Sequence, residues 1–70
     1  MDPTAQFAQN LRRLRLEAGF TQEALSEATK LDTAEISRLE RGARDPQLRT
    51  LVRLARGLRC PVTDLVDGIE

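Results

Sequence analysis

The sequence GFTQEALSEATKLDTAEISRLERG, from Gly19 to Gly42, decides the fold. Thr21 has the side chain of a typical N-cap, so we predict a short helix directly after it. Asp32 begins a start signal that resembles a capping box, which predicts another helix from Thr33 to about Arg41. The interval from Leu25 to Ile36 leaves room only for a tight turn between these helices. Two short helices joined in this way cross steeply, and the later one protrudes from the surface.

Helical patterns continue on both sides of this segment, because apolar residues recur at spacings of three and four. The pair Asp2-Pro3 predicts the start of a first helix, and Gly19 predicts its end. Pro61 opens a short fifth helix, and the fourth helix is expected to bury one apolar stripe: Leu48, Leu51, Val52, Ala55 and Leu58. We predict an all-α fold, a compact bundle of five short helices in a single domain (residues 1–70), in which helices 2 and 3 form a helix-turn-helix.

Composition excludes several classes of function. The chain has no His, Trp or Tyr, so His-based acid–base chemistry, His metal sites and most aromatic base stacking are absent. Cys60 is the one cysteine, so it cannot form an internal disulfide or a structural zinc site. We expect its side chain to be a small residue of the core. We predict a protein that is not an enzyme and uses no cofactor or metal. We see no signal-peptide pattern and no apolar run as long as a membrane span in this sequence, so we expect no membrane contact and a cytoplasmic location.

Charge is distributed unevenly although the formal net charge is zero. Residues 30–59 have eight basic and four acidic side chains, whereas residues 60–70 have three acidic and no basic ones. A basic middle and an acidic tail are typical of a protein that faces a polyanion on one side only.

The third helix has an outward face suited to DNA. With about 100° of rotation per residue, Ile36 and Leu39 share the buried side. The opposite side holds small and basic side chains: Ala34, Ser37, Arg38 and Arg41. Arginine suits guanine or phosphate, serine suits several base edges, and alanine suits the methyl group of thymine. An ordinary solvated helix face has a similar composition, so both interpretations stay open on this pattern alone.

Other positions suggest phosphate contacts and one buried ion pair. Backbone N–H groups at the start of the second helix can bind a phosphate, with Gln22 beside them. On the fourth helix, basic side chains share one flank, which is either a phosphate-binding or a solubilising surface: Arg49, Arg53 and Arg56. Glu40 lies toward the buried side of its helix and Arg15 lies at the edge of an apolar stripe. We predict that these two pair, because an unpaired buried charge is costly.

Four motifs occur in order along the chain: Leu-Arg-x-Leu-Arg from Leu11, Gly-Phe-Thr-Gln-Glu-x-Leu from Gly19, Ile-Ser-Arg-Leu-Glu-Arg-Gly from Ile36, and Pro-x-Leu-x-x-Leu from Pro46. In this combination the chain resembles the lambda-repressor and Cro-like (XRE-type) helix-turn-helix family. Bacterial and phage transcription regulators make up most of that family, which includes controllers of restriction–modification systems. The resemblance extends from Leu11 to Val66.

The resemblance implies a sequence-specific regulator that binds double-stranded DNA as a twofold dimer on an inverted repeat. It implies base contacts from four residues of the third helix: Thr33, Ala34, Ser37 and Arg38. It places Gln22, Arg41 and Arg44 near the DNA backbone, to which we add Arg53 from the fourth helix. Arg15 and Glu40 match a structural ion pair of the family. The fifth helix supplies dimer-interface candidates, of which the first two could instead be core residues: Leu65, Val66 and Ile69.

The sequence departs from the family pattern at two positions, and a second function stays open. Lys30 and Arg59 stand where the family usually has glycine, so each turn is either rearranged or contains a residue with positive φ. The alternative is a protein-interaction module, such as an antitoxin that masks a toxin or an adaptor to RNA polymerase. The acidic tail and an exposed Leu16 are the features that would serve it.

Overall fold

The computed structural model describes all 70 residues and contains five α-helices and no strand. In chain order they are α1 (Pro3–Glu17), α2 (Gln22–Thr29), α3 (Thr33–Glu40), α4 (Leu48–Leu58) and α5 (Val62–Leu65). The predicted all-α bundle is therefore confirmed. None of these helices combines the length and the apolar character that crossing a membrane requires.

Local signals explain where the helices begin. The Asp2 carboxylate accepts hydrogen bonds from the backbone N–H groups of the first turn of α1. At α2, Thr21 Oγ1 accepts from the backbone N–H of Ala24 at 3.0 Å. Asp32 differs from the prediction, because its side chain makes no capping hydrogen bond although α3 begins directly after it. The start of α3 therefore depends on packing more than on its cap.

The core joins all five helices through a single cluster of buried apolar side chains: Phe7, Leu11, Leu25, Ile36, Leu39, Leu54, Ala55 and Leu65. Ile36 and Leu39 attach α3 to this core, and α3 packs against both α1 and α2. Because one face of α3 is fully occupied in this way, its opposite face projects away from the domain.

The buried stripe of α4 differs from the prediction. Leu54, not Leu48, is fully buried, and 75% of Leu48 is exposed to solvent. On a helix with about 100° per residue, Leu48 lies about 120° and Val52 about 160° from Leu54. The inward direction is set by α2 and α5, against which α4 packs. Leu48 is also the first residue of α4, where no neighbouring helix covers it.

The two basic residues at glycine-like positions adopt left-handed backbone conformations. Lys30 ends α2 with φ 64°, and Arg59 ends α4 with φ 56°. The turns therefore keep the geometry that glycine would adopt freely, and these residues carry the steric cost. The Lys30 turn directs the chain from α2 into α3.

Candidate nucleic-acid interface

The outward face of α3 contains the four residues predicted to meet bases. Ala34 and Arg38 are exposed, whereas Thr33 and Ser37 are half-buried at its borders. Ile36 and Leu39 point the opposite way into the core. The structure thus brings Thr33, Ala34, Ser37 and Arg38 together on one exposed side of a short, anchored helix.

Hydrogen bonds hold the turn that aims α3. The buried Thr29 hydroxyl donates to the carbonyl of Leu25 at 2.7 Å and accepts from the backbone N–H of Leu31 at 3.3 Å. The Ser26 hydroxyl donates to the carbonyl of Leu31. Side chains of α2 therefore pair the polar backbone groups that the turn would otherwise leave unpaired, which keeps the orientation of α3 fixed.

Arg15 near the end of α1 and Glu40 at the end of α3 form a buried ion pair. Arg15 Nε is 2.5 Å from Glu40 Oε2 and Arg15 Nη2 is 3.0 Å from Glu40 Oε1, which makes a two-point pair. Only 10% of the Arg15 side chain and 5% of the Glu40 side chain are exposed. The hydrogen bond to Glu40 raises the pKa of the Arg15 guanidinium, and the negative charge of Glu40 raises it as well. Together they outweigh burial, which lowers it, so the pKa lies above its ordinary value. This pair ties the C-terminal end of α3 to α1.

Gln22 joins the same network. Its Nε2 donates to Glu40 Oε1 at 3.1 Å, so one of its two amide N–H groups is occupied inside the domain. The other N–H group is left for a ligand at the start of α2, where backbone N–H groups also point outward. The sequence placed Gln22 near a phosphate, but its connection to the ion pair was not predicted.

The basic side chains after Arg38 are engaged by partners on α3. Arg44 Nη1 donates to Glu35 Oε1 at 2.7 Å, and Arg38 Nη1 lies 3.7 Å from the same oxygen. Arg41 Nη1 donates to Ser37 Oγ at 2.7 Å. The structure therefore brings Arg38, Arg41 and Arg44 to one surface. Sequence reasoning missed the role of Glu35, although its i,i+3 spacing from Arg38 signals a pair.

Arg53 is not part of this cluster. It lies on the exposed flank of α4, where it forms no hydrogen bond or ion pair, and shares a shallow groove with Leu48, Arg49, Val52 and Arg56. This groove combines positive charge with exposed apolar carbon.

The predicted dimer residues separate into two groups. Leu65 is fully buried, so its assignment to a dimer interface is wrong and it belongs to the core. The physical reason is that α5 packs against both α1 and α4 and has a single inward position. Val66 and Ile69 remain half-buried candidates. Asn10 Nδ2 holds this end of the chain by donating to the carbonyls of Leu65 and Asp67 at 3.0 and 2.8 Å.

Cys60 is half-buried at the junction between α4 and α5. Burial, and secondarily the negative charge of Asp64, raise the pKa of its thiol. No group of three or more His, Cys, Asp or Glu side chains is arranged to hold a metal ion.

A short helix that follows another across a tight turn, with small and basic side chains facing outward, is typical of a helix-turn-helix DNA-binding protein. A family model described as helix-turn-helix (HTH_3) matches residues 11–65. The chain belongs to this family of DNA-binding transcription regulators, which confirms the resemblance noted in the sequence.

Named relatives agree with this assignment. The chain is 38% identical over 70 residues to the uncharacterized HTH-type transcriptional regulator y4dJ of Sinorhizobium fredii, covering all of this chain and 91% of that protein. It is 37% identical over 62 residues to the HTH-type transcriptional regulator DdrOP3 of Deinococcus deserti. That match covers 89% of this chain and 48% of the Deinococcus protein, so the chain spans about half of that regulator's length.

Among solved structures, the restriction-modification controller protein C.AhdI from Aeromonas hydrophila is similar throughout. It superposes with a TM-score of 0.86 at 34% identity, covering 89% of this chain and 94% of C.AhdI.

Proposed function

We propose that this chain is a sequence-specific transcription regulator that places α3 in the major groove of DNA. The observation that carries the proposal is the outward face of α3, where Ala34 and Arg38 are exposed while Ile36 and Leu39 are fully buried. A helix fits the width of the major groove, and side chains of this kind complement base edges there. Arg38 is the candidate for a two-point contact with guanine, and Ala34 for contact with a thymine methyl group.

Phosphate contacts surround this face in the proposed complex. Gln22 at the start of α2 is positioned for one strand, by its free amide N–H and the backbone N–H groups beside it. Arg41, which follows Arg38 along the chain, is positioned for the other side of the groove, and Arg44 contributes only where it leaves its contact with Glu35. Arg53 contributes from the separate surface of α4. Such contacts fix the register of the protein on the duplex without reading sequence.

The proposed binding unit is a twofold dimer on an inverted repeat. The half-buried Val66 and Ile69 at the C-terminal end supply apolar surface for this assembly. Two copies then present their α3 helices about one helical turn of DNA apart.

Selection of duplexes from a random pool, with the full chain, tests the proposal. We expect enrichment of an inverted repeat whose half-sites are separated by about 10 base pairs. Arg38→Ala should weaken binding to the selected duplex by about 1–3 kcal/mol and relax specificity at one position per half-site. Arg13→Ala is the matched control, because Arg13 pairs with Glu17 on the exposed side of α1. Equal affinity of the unaltered protein for selected and random duplexes would refute sequence-specific binding.

A second function is favoured by one observation on α1. Leu16 is 54% exposed and lies beside Arg12 and Arg13 in a shallow, mostly apolar depression. Such a patch suits a protein partner, for example a toxin or RNA polymerase, and is compatible with DNA binding by α3. Purification of a stoichiometric partner in the absence of DNA, lost in Leu16→Ser, would support it; retention of that partner by Leu16→Ser would exclude this patch.

A further inference from the structure

Glu35 lies at the border of the proposed DNA-binding face, next to Arg38. Of the two acidic residues of α3, Glu40 is buried in its pair with Arg15, and Glu35 is the other. Its Oε1 atom is shared by two cations: Arg44 Nη1 at 2.7 Å and Arg38 Nη1 at 3.7 Å. The Glu35 side chain is 21% exposed, whereas roughly half of each arginine side chain is exposed. A single acid therefore holds two of the arginines that a polyanion would meet first.

We propose that Glu35 is a specificity-determining residue that suppresses binding to DNA of random sequence; this inference rests on the proposed function. Sequence-independent binding depends on the number of phosphates that basic side chains neutralise. To neutralise a phosphate, Arg44 must leave Glu35 or share its charge with it, and the Glu35 carboxylate itself repels the nearby phosphates. Both effects weaken any complex that relies on phosphate contacts alone.

Specific binding is affected differently because of the position of Arg38. Its guanidinium has five N–H donors, so the Nη1 atom facing Glu35 leaves others free for a base edge. The contact with Glu35 restricts the directions in which Arg38 can point. A base contact can therefore form with the acid still in place, whereas a swing of Arg38 toward phosphate breaks its contact with Glu35. Glu35 thus penalises the non-specific mode more than the specific one.

Glu35→Gln tests the proposal, because it removes the charge and keeps the shape. Affinities for a random duplex and for the duplex selected by the unaltered protein are measured by fluorescence anisotropy across a range of salt concentrations. With one additional phosphate contact, we expect random-sequence affinity to rise about fivefold at 0.15 M salt and the logarithmic salt dependence to steepen by about 0.9. Affinity for the selected duplex should rise less than twofold or fall, so the ratio of specific to random affinity decreases.

Two further variants show whether the effect comes from this cluster. Glu17→Gln also removes one negative charge from an arginine pair, on the exposed side of α1; it should leave the affinity ratio within twofold of the original. In an Arg44→Ala background, most of the gain from Glu35→Gln should disappear. Urea denaturation confirms that each variant is folded under the binding conditions.

The outcomes separate this inference from the proposed function. If the unaltered protein prefers its selected duplex but Glu35→Gln changes random-sequence affinity by less than twofold, the role of Glu35 is refuted and the proposed function stands. An equal rise in affinity for both duplexes also refutes the role of Glu35 in specificity, because the loss of one negative charge would then explain the result. If no sequence is enriched, the proposed function fails, and random-sequence affinity still shows whether Glu35 limits phosphate binding.

Discussion

Replacing Glu40 with alanine removes the partner of a guanidinium whose side chain is only 10% exposed. Arg15 would keep only the carbonyl of Phe20, to which its Nη1 donates at 2.8 Å, and Gln22 would lose its acceptor. Breaking a buried pair by removing one partner costs about 3–5 kcal/mol. A domain of this size is stable by only about 4–10 kcal/mol in total, at roughly 0.05–0.15 kcal/mol per residue. Glu40→Ala should therefore remove a large part of the stability of the whole fold.

Urea denaturation followed by circular dichroism measures this change, and an unchanged slope indicates that unfolding exposes the same surface. Heating provides a second measure, because each kcal/mol lowers the midpoint of a small domain by about 4–8 °C. The matched control is Glu17→Ala, which breaks the exposed pair with Arg13 at 3.7 Å and should cost at most about 0.5 kcal/mol.

A double variant separates charge burial from loss of packing. Arg15→Met combined with Glu40→Leu replaces the pair with apolar side chains, and such replacements are often neutral or stabilising. We expect it to recover most of the stability that Glu40→Ala loses. A cost below about 1 kcal/mol for Glu40→Ala would refute the argument that the pair is a buried, coupled unit. If the double variant is as unstable as Glu40→Ala, then the shape of the two side chains, and not their charge, holds α1 and α3 together.

Three other predictions concern backbone and side-chain chemistry. Lys30→Gly should stabilise the protein by about 0.5–1 kcal/mol in urea denaturation, because glycine adopts φ 64° without the steric cost of a side chain; destabilisation would show that the Lys30 side chain is needed. Gly57→Ala should destabilise by about 1–3 kcal/mol, since a Cβ atom there would lie 2.6 Å from Thr29 Cγ2. Thr29→Ser removes that methyl group and should make Gly57→Ala nearly neutral, and a persistent loss would contradict the clash. The thiol of Cys60 should react with a disulfide reagent more slowly at pH 8 than a cysteine in an unfolded peptide, because its raised pKa leaves less thiolate, and the rate should rise further into the alkaline range; a rate equal to that of the peptide would contradict this.

Several features of the site were predictable because they depend on local spacing. The caps at Asp2 and Thr21, together with the glycine after the first helix, are signals read within a few residues. The outward position of Arg38 follows from the two apolar residues beside it on the same short helix. The partnership of Arg15 with Glu40 was also predictable, because a charge on the inward side of a helix requires a partner.

Other features depended on how the helices pack against one another. The apolar stripe along α4 predicted that Leu48 is a core residue. The side of α4 that faces inward is instead set by its packing against α2 and α5, and Leu48 is exposed. Leu65 suited a dimer surface by composition and is instead enclosed between α1 and α4.

The sequence by itself determined an all-helical protein with an exposed third helix, because the periodicity and the turn signals that specify helices lie within neighbouring residues. Only the tertiary structure decided that Gln22 joins the buried ion pair and that Glu35 holds Arg44. Side chains this far apart in sequence meet only where the turn and the connector bring them together. The direction of each connection is fixed by packing around the common core.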